Sequence, residues 1–173
     1  MAHRRTRIAV AGALALALTV GSAGIAAAKI SIRPERREFY AHARLPLSFP
    51  EKIIARGATF ELTNEDETYT IASATVAPGC VVRGTKCRFV DRDAKRNREG
   101  LAIFRMSMTT GKIWLRSYSD LSAATPEIMA EPVKFLVSIP REDPSLPPEQ
   151  ASVTATYSPW HGGWILRDRD WPY

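Results

Sequence analysis

Between Leu101 and Ser119 the chain alternates, turns and alternates back, and this stretch constrains the fold more than any other. Leu101 to Met108 places Ala102, Phe104, Met106 and Met108 on one face of an extended strand. Thr109-Thr110-Gly111 supplies a tight turn. Lys112 to Ser119 returns with Ile113 and Leu115 on one face and Trp114, Arg116 and Tyr118 on the other. A period of two leaves a helix no apolar stripe, so the segment predicts a β-hairpin with one buried face.

The same period recurs along the chain. Ala58 to Thr63 alternates up to the turn residues Asn64-Glu65-Asp66, and Tyr69 to Val76 alternates up to Ala77-Pro78-Gly79. Arg88-Phe89-Val90 begins a strand that runs into a polar loop, Asp91 to Gly100. Val133 to Ile139 points Val133, Phe135, Val137 and Ile139 inward, and Ala151 to Tyr157 does so with Val153, Ala155 and Tyr157. His161-Gly162-Gly163 turns the chain into a last strand from Trp164. A single helical signature stands out, Thr125 as N-cap before Pro126, stopped by Pro132. These runs predict an all-β fold: an antiparallel β-sandwich of about seven or eight short strands over residues 51–173, with one short helical connection.

The first 28 residues read differently. Arg4, Arg5 and Arg7 precede an uncharged run, Ile8 to Val20, and then small residues ending in Ala26 and Ala28. A basic start, an apolar middle and an A-x-A-like end predict a secretory signal peptide over 1–28, cleaved near Ala28, and a chain exported to periplasm or medium. A retained anchor is the competing expectation. No later stretch resembles a transmembrane span. Residues 29–50, punctuated by Pro34, Pro46 and Pro50, read as an extended arm, a linker or an edge strand.

Export changes the charge. The chain has 24 Lys and Arg against 18 Asp and Glu, and loss of Arg4, Arg5 and Arg7 leaves 21 against 18, a net of +3. Overall charge therefore does not point to nucleic acid. Cys80 and Cys87 are the only cysteines. In an oxidising compartment they predict a disulfide across a short hairpin, contributing about 2.5 kcal/mol by loop-closure entropy.

Two clusters are candidate binding surfaces. Arg83, Lys86, Arg88, Arg92, Lys95, Arg96 and Arg98 make a basic hairpin suited to an anionic polymer, offset by Asp91 and Asp93. Trp160, Trp164, Trp171 and Tyr173 crowd the C-terminal segment and could stack on sugar rings, although core or cross-strand packing is the commoner use of such residues.

Catalytic and metal patterns are weak. His42 and His161 are far apart, and Ser158, His161 and Asp168 or Asp170 lack a nucleophile elbow. Asn64-Glu65-Asp66-Glu67 and Asp91 with Asp93 lack the ligand order of a calcium loop. No cofactor is expected.

The stretch Gly100 to Pro140, carried by Asp120-Leu121-Ser122 and the Val133–Ile139 strand, resembles a unit in exported bacterial β-domain proteins of uncharacterised function. That resemblance covers about a quarter of the mature chain and implies β architecture but no activity. The expectation is a small non-catalytic module with a structural or binding role in the cell envelope or secretome. A carbohydrate- or anionic-polymer-binding module is the alternative, and a hydrolase with dispersed carboxylates a further one. Envelope polysaccharide and another exported protein are the candidate partners.

Overall fold

The computed structural model describes residues 23–25 and 27–167. Residues 1–22 of the expected leader, and Ala26 of its cleavage motif, lie outside the described residues.

In chain order, β1 (Ala23–Gly24) and β2 (Ala27–Arg33) lead into a single 3-10 turn (Pro34–Arg36) and β3 (Glu38–Arg44). Next come α1 (Phe49–Arg56), β4 (Ala58–Asn64), β5 (Thr70–Val76), β6 (Val81–Arg83) and β7 (Lys86–Val90). The chain continues through α2 (Arg92–Asn97), β8 (Gly100–Ser107), β9 (Lys112–Tyr118) and α3 (Pro126–Ala130). It closes with β10 (Val133–Ile139), β11 (Glu149–Ala155), β12 (Ser158–Trp160) and β13 (Gly163–Arg167).

These strands form two sheets. The small one has the order β1-β11-β10-β4-β5, and the wide one β12-β13-β2-β3-β9-β8-β7-β6. Pairing is antiparallel throughout, except for the two-residue parallel contact of β1 with β11. The chain is thus an all-β, sandwich-like fold with more and shorter strands than the alternation alone suggests.

Period-two patterning sets the core. From the wide sheet Ile30, Ile32, Phe39, Ala41, Phe104, Met106 and Leu115 are buried, and from the small sheet Phe60, Leu62, Val133, Phe135, Val137 and Ile139. Aromatic rings knit the two layers: Phe39 meets Phe135 edge-on at 6.3 Å and Phe60 meets Phe104 at 5.6 Å. Truncating such a ring to Ala costs about 3–5 kcal/mol.

Residues 29–50 do not stand apart as an arm. Strands β2 and β3 are interior members of the wide sheet, flanked by β13 and β9. Ile30 and Ile32 alternate with Lys29, Ser31 and Arg33, so the period is present but short. Pro34 starts the 3-10 turn between the two strands, and Arg37 takes the left-handed conformation that reverses the chain. Pro50 sits in the first turn of α1, where a missing N–H costs nothing.

Helices also replace part of the expected loop structure. In the polar stretch 91–100, the Asp91 carboxylate accepts from the N–H groups of Asp93 and Ala94 and so caps α2. Thr125 caps α3 as its sequence predicts, accepting from Ile128 N–H. Cys80 and Cys87 are disulfide-bonded, tying the chain entering β6 to β7. Beyond β5, the edge of the small sheet, the β6–β7 hairpin is less covered, and Val81 and Val82 are exposed.

Candidate functional site

The wide sheet has one face in the core, and its other face collects cations and aromatic rings. Register fixes which side chains share that outer face, because residues directly opposite point the same way. One row runs Arg88 on β7, Arg105 on β8, Trp114 on β9, His42 on β3 and Lys29 on β2. At about 4.8 Å between strands, this row is about 19 Å long. Beside it lies a second row, Ile103, Arg116, Tyr40 and Ser31. Lys86 and Arg83, opposite each other on β7 and β6, extend the cationic surface to the sheet edge.

Contacts along the row hold the rings in place. The Arg105 guanidinium lies 5.0 Å from the Trp114 ring centre, and His42 meets Trp114 edge-on at 5.8 Å. Two open grooves share His42 and Trp114. One, of about 470 Å³, extends over Lys86, Arg88, Arg105 and Lys112. The other, of about 270 Å³, extends over Lys29, Arg33, Tyr40 and Trp160. Together they make a shallow trough across the strands rather than an enclosed cleft.

The second row is anchored by Glu38, the acid among the described outward positions of these strands. Its side chain is 7% exposed; it is ion-paired with Arg116 and lies 3.8 Å from Arg33. Arg116 is also stacked against Tyr40 at 5.2 Å and Tyr118 at 5.1 Å, and Arg33 lies 4.7 Å from the Trp160 ring centre. Arginine-on-ring contacts strengthen where water is excluded. Glu38 thus fixes two cations, each in contact with an aromatic ring.

Electrostatics differ between the two sheets. On the small sheet's side, Lys52 and Arg56 of α1 pair with Glu149, and Lys134 pairs with Glu67. On the wide face, Lys86, Arg88, Arg105 and Lys112 have no ion-pair partner among the described residues. Partial burial, and then the nearby Lys29 ammonium, push the His42 imidazole below its ordinary pKa. A cation next to it and little water around it both disfavour the protonated ring.

The basic hairpin expected from sequence divides in two. Arg83, Lys86 and Arg88 lie on the outer face of β6 and β7. Arg92, Lys95 and Arg96 belong to α2, and Arg98 caps its C-terminus in the left-handed conformation. That helix packs through Ala94 onto Ala102 and Tyr118, at the end of the same outer face.

The aromatic cluster divides as well. Trp160 stands opposite Gly163 and joins the outer face, whereas Trp164 stands opposite Ile32 and packs against the core. The two indoles therefore take opposite faces of the β12–β13 ribbon, and both border a groove at the His161–Gly162 turn. Trp171, Tyr173, Asp168 and Asp170 lie outside the described residues. His161 adopts a left-handed turn conformation with its ring against Trp160, and Ser158 faces Ile165.

Both acidic clusters have local structural roles. Asn64 accepts from Tyr69 N–H in a turn, and Asp91 caps α2. Among the described residues, no three His, Cys, Asp or Glu side chains converge as a metal-binding group.

Sequence reasoning misses Lys29, Arg33, Tyr40, His42, Arg105, Lys112, Trp114 and Arg116 as parts of one surface. Their signal is the polar half of each alternating strand, which tells which face a residue takes but not which strands adjoin. No family model, curated protein or solved structure matches the chain.

Proposed function

We propose that the chain is an exported, non-catalytic module that binds an acidic polysaccharide of the cell envelope across the outer face of its wide sheet. The observation that carries this is the Arg88–Arg105–Trp114–His42–Lys29 row. Its cations offer counter-charges to carboxylate or sulfate groups, and its indole offers an apolar face to a sugar ring. A flexible chain of sugars needs an open trough, and a reaction needs a walled site with an acid or nucleophile. Glu38, the acid among the described outward positions of this sheet, is committed to Arg33 and Arg116.

The test uses the exported, oxidised protein on immobilised alginate, heparin, neutral dextran and double-stranded DNA, across a salt series. Retention on the acidic glycans, fading with salt and weakened at least tenfold by Trp114→Ala and by Arg88→Ser with Arg105→Ser, is the expected result. Equal retention on DNA would reduce the site to a general polyanion surface. No retention on either acidic glycan at low salt would remove the proposal and leave a structural or protein-binding role.

A further inference from the structure

We infer that the exported chain is processed at the Ala23–Gly24 bond, upstream of the A-x-A-like end at Ala28. The inference rests on the export reading and is independent of what the wide sheet binds.

Three observations show which product keeps a complete core. First, Gly24 pairs in parallel with Ser152 of β11, and Ile25 N–H donates to the Ser152 carbonyl at 3.2 Å. The segment before β2 therefore covers the outer edge of the small sheet, where unpaired backbone groups would otherwise face water. Second, Ile25 is a core residue, 7% exposed, and Ala28 is 1% exposed. Third, β2 is already paired with β3 from Ala27, opposite Arg44, and Ala28, opposite Ala43.

A cut after Ala28 removes Ile25 from the core, strips two residue pairs from β2 and uncovers β11. A cut after Ala26, with Gly24 three residues before the bond, also removes Ile25. A cut after Ala23 gives up the pair of Ala23 with Ala151 but keeps Gly24 opposite Ser152, Ile25 with its hydrogen bond, and all of β2. Gly24 is exposed there, so the new charged terminus stays in water.

The local sequence suits this bond. Ala23 at the last position before the cut, and Gly21 two residues earlier, are the small side chains a signal peptidase accepts. They follow the apolar run Ile8 to Val20 directly. The step is hydrolysis: water adds across the amide, the C–N bond breaks, Ala23 keeps the carboxylate and Gly24 leaves as the ammonium. The peptidase acts on the extended chain, so the fold does not direct the cut. The fold determines which product has a complete core.

The decisive measurement is N-terminal sequencing, with intact mass, of the full chain after export by a bacterial host. A sequence beginning Gly24-Ile25 is expected. An N-terminus at Ala27 or Lys29 overturns the boundary while leaving export standing. Unprocessed chain in the membrane fraction overturns both. Ala26→Arg provides an independent check, since it places a charge at the position a downstream cut needs small. Processing at Gly24 is expected to continue in that variant, and accumulation of its precursor would count against the assignment.

Discussion

Replacing Glu38 by Gln tests whether the outer face is organised from within. The carboxylate side chain is 7% exposed, and its partners Arg116 and Arg33 are 22% and 24% exposed. Removing one member of a fully buried pair costs about 3–5 kcal/mol, and an exposed pair contributes about 0–1. This triad lies between those limits. The amide can still accept one hydrogen bond from Arg116, so a loss of about 2 kcal/mol is expected. For a chain of this size each kcal/mol moves Tm by about 2–4 °C, which gives a drop of about 4–8 °C. The assay is thermal unfolding by circular dichroism at neutral pH, on E38Q, R116M and the double variant.

The double variant is the sharper arm. If Glu38 serves mainly to neutralise Arg116, then E38Q with R116M should lose less than the two single losses added together. A Tm for E38Q within about 1 °C of the parent, or strict additivity in the cycle, would refute the role given to Glu38.

Two further outcomes follow from the same face. At Gly163 a Cβ would stand 2.0 Å from the Ile32 carbonyl oxygen, so Gly163→Ala should force β13 from β2. A loss of about 2 kcal/mol or more is expected, with faster amide exchange in β12 and β13; unchanged protection would contradict the close approach. For His42, the folded pKa is below the unfolded one, so on acidification the unfolded chain takes up the proton first. Stability should therefore fall as pH drops below about 6.5, while retention on an acidic glycan rises because the bound polymer favours the imidazolium. Both trends should flatten in His42→Asn, and a pH-independent affinity in the parent would show that the ring lies outside the bound region.

The hairpin Leu101 to Tyr118 is legible in sequence because its partner strands are consecutive and its turn is short, except that a bulge at Ala102 puts Leu101 in the core and Ala102 with Ala94 and Tyr118. The inward sets of β4, β10 and β11 are legible for the same reason of period. The hairpin β2–β3 is obscured by Pro34 and by the charged turn Glu35-Arg36-Arg37, whose composition suits a linker equally well. The helix α2 is hidden because five of its six residues are polar, leaving only Ala94 to mark a buried side. The surface around Trp114 is not legible because it needs the β2–β3 hairpin to be set against β9 through β3. That adjacency comes from pairing across long stretches of chain, and no local pattern encodes it. The basic cluster 83–98 is visible for the opposite reason: it is local, and the structure divides it between sheet and helix.

The pairing of β13 with β2 sets Arg167 opposite Lys29, so the wide sheet joins nearly the first described strand to the last. Most of the chain must emerge before this strand pair can form, and such long-range closure slows folding. Until then β2 lacks the neighbour that covers one of its edges. An exported chain with this order remains extended while it is threaded through a translocation channel, and it can complete the wide sheet only once its C-terminal ribbon has arrived on the far side.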